Sequence, residues 1–135
     1  MASALYDKAR QAFLTGAINW TSDNIKAVLV DTGTYSPSLS SNEFLSDITA
    51  GARIATSGNL TGKSATLGVA DAADVTFSAV SGATAEAIVI YKDTGSAASS
   101  RLIAYIDTAT GLPVTPNGGD ISVAFDNGSN RIFRI

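Results

Sequence analysis

Residues 85–135 are a succession of β-branched and aromatic runs cut by turn residues, and this pattern commits the chain to antiparallel sheet. Ala85–Lys92 and Arg101–Asp107 are strands bounded by the Gly/Ser/Thr-rich loops 93–100 and 108–119. Ala87, Val89 and Tyr91 fall on one face of their strand, Ile88 and Ile90 on the other. Apolar residues on both faces predict a central strand, or one with a face covered by another subunit. Asp120–Asp126 and Asn130–Ile135 flank Asn127–Gly128, a strong short-range hairpin signal. A two-residue loop would put Phe133 and Ile135 on the opposite face from Ile121, Val123 and Phe125. An odd-length loop with a Gly bulge puts all five together. Each large side chain so buried is worth roughly 1.5–3 kcal/mol. The expectation is therefore the odd-length loop, with Ser122, Ile132 and Arg134 facing the other way.

Ser3–Thr15 predicts the one helix. Leu5, Ala9, Ala12 and Phe13 form an apolar stripe, Ser3 is a plausible N-cap, and Gly16 is placed to stop it. A helix this short must dock on something to persist. Ile25–Asp31 predicts a strand buried on both faces, 52–56 and 74–79 shorter strands, and 41–48 one or two helical turns. Residues 57–73 are Gly/Ala/Ser/Thr-rich and carry no clear period, although 64–69 is compatible with a further strand. No repeat or linker divides the 135 residues, which predict a single domain: a helix over 1–16 and a β-domain over 17–135. The expected fold is mainly β, an antiparallel β-sandwich or jelly-roll-like domain of roughly seven to nine strands with one short N-terminal helix.

Composition narrows the chemistry. There is no His and no Cys, so neither a disulfide framework nor a thiolate metal site supports the fold. Only 16% of residues are charged, the net charge is −3, and no run of Lys or Arg occurs, which argues against a nucleic-acid partner. The N-terminus carries Asp7 and lacks the apolar core of a signal peptide, and no apolar stretch has the length to cross a bilayer. Cytoplasmic synthesis without a membrane partner is the expectation.

Ser57–Ser64 comes near a phosphate-binding loop, but Ser57 stands where that motif needs Gly, and the following Ala65–Ala70 is a poor helix. A solvated loop is the better reading. Asp71 with Asp74, or Asp93 with Asp107, are conceivable carboxylate pairs, yet Asp commonly serves turns by bonding nearby amides. Asn19, Asn59 and Asn127 match a glycosylation pattern that has no use without secretion. Nucleophilic catalysis would need a base beside a Ser, and nothing locates such a pair. The expectation is no enzyme, no catalytic or metal site and no cofactor. Tyr6, Trp20, Tyr35 and Phe44 lie outside the best strands, and aromatics are enriched at interface hot spots. With Arg10 on the helix they are candidates for contact with a neighbour. The alternative is that the aromatics close the open ends of a sandwich core.

At Ala87–Gly95, Ser100–Asp107 and Leu112–Ile121, and again at Ala4–Phe13 and Ile25–Asp31, the chain resembles a family of small tailed-bacteriophage virion structural proteins. The likeness spans almost the whole chain and carries no catalytic residues. It implies a component of the virion, and among such components a capsid decoration (cement) protein is expected. Partners would be the major capsid protein or other virion proteins, together with further copies of the chain, a trimer being favoured. Alternatives are a tail tube, adaptor or knob component, or a carbohydrate-binding host-attachment module using Trp20 or Tyr35 as a stacking platform. In a particle, residues 1–16 are expected to matter more for assembly than for the isolated fold, with Tyr6 and Arg10 meeting a neighbouring subunit.

Overall fold

The β-branched runs Ile25–Val30 (β2), Ala87–Lys92 (β6) and Arg101–Ile106 (β7) form the heart of the molecule, adjacent strands of one antiparallel sheet. The computed structural model describes residues 4–125 and 132–134. The short strands Ala4–Leu5 (β1) and Arg53–Thr56 (β3) complete this sheet at its edges, in the order β1-β7-β6-β2-β3. Four further strands make two separate ribbons: Val69–Ala70 (β4) with Phe133–Arg134 (β9), and Val75–Phe77 (β5) with Ile121–Val123 (β8).

The two-faced pattern of β6 is used as its sequence implies. Ile88 and Ile90 join Ile25, Ala27 and Leu29 of β2 in one core, which the two ribbons cover with Val75, Phe77, Ile121, Val123 and Phe133. Ala87, Val89 and Tyr91 join Val28 and Val30 in a second core on the opposite face, closed by Tyr6, Ala9 and the irregular segment 35–52. β6 is therefore central, and both of its faces are buried within this one chain. A bulge in β7 reconciles its side chains with this division. Ile90 pairs with Ala104 but Tyr91 with Leu102, so Ile103 is the extra residue and shares a core with Ala104.

The fold is thus mainly β and antiparallel with one short helix, and it is sandwich-like on one face only. The sheets are not closed, so of the two expected architectures the sandwich describes it better than the jelly roll.

Three local expectations are corrected. The helix (α1) runs over Asp7–Leu14, because the chain before it is extended: β1 pairs with β7, and Tyr6 is the N-cap at φ −72, ψ 142. Gly16 does end it, at φ +78. The strands flanking the Asn127–Gly128 turn belong to different ribbons rather than to one hairpin, since β8 pairs with β5 and β9 with β4. The turn itself, and Ile135, lie outside the described residues. Ile121, Val123, Phe125 and Phe133 are buried while Ser122 and Arg134 are exposed. Ile132, expected to face away, is buried too: it precedes β9, and its amide bonds the Ala70 carbonyl.

Gly111 holds the 108–114 loop against β8. Its φ is +105, and a Cβ there would stand 2.8 Å from the Ser122 carbonyl oxygen and 3.7 Å from Val123 Cα. Both obstacles are backbone, so Gly111→Ala should destabilise the protein by about 2–3 kcal/mol. A urea midpoint equal to that of the wild type would refute this.

Candidate functional site

Three of the five residues expected at an interface are core residues. Tyr6 is fully buried, Tyr35 is 5% exposed and Trp20 is 5% exposed. For Tyr6 the reason is the extended backbone before α1, which turns its ring into the core behind β6 rather than along the helix surface. Its hydroxyl donates to Tyr35 Oη at 2.7 Å, and the Tyr35 hydroxyl donates in turn to Asn42 Oδ1 at 2.8 Å. Asn42 Oδ1 also accepts the Ser38 amide at 2.9 Å. Burial is the main cause that pushes both phenols above the ordinary tyrosine range. The hydrogen bond to Tyr35 raises Tyr6 further, whereas the same bond lowers Tyr35, as fits Tyr6 being the donor. This relay pins the irregular segment 35–52 onto the sheet.

Trp20 donates its indole N–H to the Asp71 carbonyl at 3.2 Å and meets Phe133 edge-on, with ring centroids 5.2 Å apart and planes at 80°. Neither Trp20 nor Tyr35 offers an open ring face, so the stacking platform expected of a sugar-binding module is missing from them. Phe44 and Arg10 do remain at the surface. Phe44 is half-buried beneath the Arg101 guanidinium, 5.3 Å from its ring centroid, and Arg101 also pairs with Glu43 at 2.9 Å. Arg10 is exposed and pairs with Asp7 at 2.8 Å.

The carboxylates serve turns and strand ends. Asp93 and Asp107 follow antiparallel neighbours, β6 and β7, so they lie at opposite ends of the sheet. Asp93 accepts the Gly95 amide at 3.1 Å and pairs with Lys26 at 3.1 Å. The backbone bond leads in holding its pKa below the usual carboxylate value, and Lys26 assists. Asp74 accepts the Phe125 amide at 3.0 Å, joining the segment before β5 to the end of β8. Among the described residues, no three His, Cys, Asp or Glu side chains cluster to hold a metal, and no helix is long and apolar enough to cross a membrane.

The loop resembling a phosphate cradle is occupied by its own chain. Ser57 is buried, its hydroxyl oxygen accepting the Ala27 amide at 2.9 Å, and the Leu60 amide donates to the Ile25 carbonyl. Lys63 Nζ donates to the Asp23 carbonyl, and burial lowers its pKa despite the raising effect of the Asp23 charge. Beyond Ser64 the chain makes a single tight turn at Thr66–Gly68 in place of the helix that a phosphate site needs.

Among the described residues, two surface grooves lie beside the helix. One, of about 300 Å³, lies over the β1 edge and is flanked by Arg10 and Arg134. The other, of about 310 Å³, runs between the end of α1 and the β4–β9 ribbon, and Phe13, Ile18, Trp20, Ala70 and Phe133 line it. The exposed large hydrophobic side chains among the described residues are Leu14 and Leu67, each a chain neighbour of residues that line this second groove. Sequence reasoning missed both. Leu14 could have been found as the apolar residue off the helix stripe, but Leu67 lies in the segment without a period.

Neither a protein-family model nor a curated protein of known function matches this chain.

Proposed function

We propose that this chain is a structural protein of a tailed-phage virion, a capsid decoration (cement) protein that stabilises contacts between major capsid subunits. The observation that carries the reading is the resemblance of its sequence to small phage structural proteins. Most residues of that resemblance fall on β1, α1, β2, β6 and β7, the main sheet and the helix at its edge, and Leu112–Ile121 leads into β8. It therefore concerns the frame of the fold and not an isolated loop. The sparse charge of the surface suits repeated docking, in which individually weak contacts gain strength from multivalency. A closed homo-oligomer is the natural form, with a trimer matching local three-fold positions on a capsid. The reading assigns no catalytic residue and no cofactor.

Copy number in purified particles tests it. Quantitative mass spectrometry should find on the order of hundreds of copies associated with heads, as a repeating surface lattice requires. Roughly six to twelve copies, the stoichiometry of a symmetric ring, would move the protein to the tail or connector. Absence from the particle would end the virion reading.

A further inference from the structure

We propose that Asn117 is a latent self-modification site: released from its present contacts, it closes on the Gly118 nitrogen and leaves an isoaspartyl linkage in the chain. The chemistry needs a side-chain amide followed by a backbone nitrogen that can reach it. Asn117–Gly118 supplies both, because glycine has no Cβ to hinder the approach and lets the backbone turn freely. The Gly118 nitrogen gives its proton to hydroxide and attacks Asn117 Cγ. The N–Cγ bond forms and the Cγ–Nδ2 bond breaks. The departing nitrogen takes one proton from water and leaves as ammonia, which returns the hydroxide. Water, the one co-reactant, then opens the resulting succinimide at either carbonyl to give aspartate or isoaspartate.

Both residues are exposed, so water and hydroxide reach them, and the restraint on the reaction is hydrogen bonding. The Gly118 N–H donates to the Val80 carbonyl at 2.7 Å, which shields the proton that hydroxide must remove. Asn117 Oδ1 accepts the Gly119 amide at 3.0 Å, which holds the carboxamide toward Gly119 and away from the nitrogen it must meet. The strap 114–120 is fastened on either side of this pair. Val114 exchanges both backbone bonds with Ala85, and the Val80 amide donates to the Gly119 carbonyl at 3.0 Å. Asp120 Oδ1 accepts the Ala79 amide at 2.9 Å. The attack therefore waits for a local opening that parts residues 117–120 from 79–80.

The product no longer fits the closed strap. An isoaspartyl residue routes the chain through Cβ and Cγ, so one extra carbon separates the Cα of residue 117 from the Gly118 amide that met Val80. The neutral carboxamide also becomes a carboxylate, a new negative charge close in sequence to Asp120. Val80, a core residue only 2% exposed, then loses both of its backbone partners in the strap. Opening is reversible, and the modification makes it permanent.

The test is to hold the full chain at mildly alkaline pH and follow residue 117 by peptide mass spectrometry. Cleavage before Asp107 and Asp126 separates it from Asn127, which begins the other Asn–Gly pair of the sequence. Conversion in the native protein should be at least about ten-fold slower than in the same chain unfolded in guanidinium chloride. Asp120→Ala, at an exposed position, removes the partner of the Ala79 amide. It should speed the native reaction about three- to ten-fold and leave the unfolded rate unchanged. Asn117→Ser removes the reacting carboxamide, while its hydroxyl accepts the Gly119 amide in its place. On ageing, the wild type should lose more of its melting temperature than Asn117→Ser, since both retain Asn127 and only one can rearrange at 117. An unfolded chain that does not convert, or equal native and unfolded rates, would overturn the proposal. So would a native rate that Asp120→Ala does not move, or equal losses in the two aged proteins.

Discussion

Base should unfold this protein before any of its tyrosines ionises in the native state. All four tyrosines, Tyr6, Tyr35, Tyr91 and Tyr105, are at most 5% exposed. Burial is the leading cause that raises each above the ordinary value. In the unfolded chain they titrate near pH 10. Stability from these groups is therefore fully present below about pH 10 and is lost above it, as the unfolded state sheds protons that the native state keeps. The loss is about 1.4 kcal/mol per pH unit for each tyrosine that the native state keeps protonated, a steep draw on an ordinary stability of roughly 5–15 kcal/mol. Absorbance at 295 nm and far-ultraviolet circular dichroism, recorded in parallel, should change in one steep, coincident step above about pH 11. A shallow one-proton titration near pH 10 with the sheet signal intact would show that at least one of these rings is open to water.

Deleting residues 1–16 should abolish the fold. The deletion removes an edge strand of the main sheet, the buried Leu5, Tyr6, Ala9 and Ala12, and Phe13 from the side of the core. It also removes the Tyr6 amide bond to the Ile103 carbonyl beside the β7 bulge, and the Asp7 amide bond to the Leu39 carbonyl. At roughly 1.5–3 kcal/mol for each large side chain, the lost burial alone approaches the whole stability of a small domain. The truncated chain should therefore lack a cooperative melt and the dispersed amide spectrum of a folded protein. A soluble truncation with the native β spectrum would restore the idea that this segment serves assembly rather than the core. Tyr6 makes the difference: a residue expected to meet a neighbour is instead among the largest fully buried side chains.

How much of the fold could be read in the sequence depends on the range of the forces involved. β2, β6 and β7 were legible because each is a long β-branched run whose two faces are filled by adjacent residues. The same alternation told which residues of β6 share a core. The ends of the chain were not legible in this way. Asn127–Gly128 is a local signal, and it invited pairing of the strands on either side of it. Two- and three-residue strands such as β9 and β8 carry too little ladder of their own to decide a partner. Packing against the main sheet decides instead, and it sends β8 to β5 and β9 to β4. Tyr6 escaped because the chain is extended there rather than helical, and Trp20 and Tyr35 because they lie where the backbone has no period, so nothing local fixes which way a ring turns. The groove beside Leu14 and Leu67 is assembled from α1, residues 16–20, the 65–70 segment and β9, four stretches that no sequence window spans together.

The pairings at the two ends of the chain also govern when this protein can first exist. Ala4 sits opposite Tyr105, and Val69 opposite Arg134, at the last described strand. A ribosome making the chain from its N-terminus thus holds β1 and α1 unpartnered until β7 has emerged, and holds β4 open until β9 has. The core behind β6 that Tyr6 closes is complete once Tyr105 is available, whereas the other waits for Phe133, and both form through long-range closures, on the millisecond-to-second scale of non-local β topologies. In that interval the apolar runs of β2 and β6 are exposed together, and a cell that makes the protein in quantity must keep nascent copies apart.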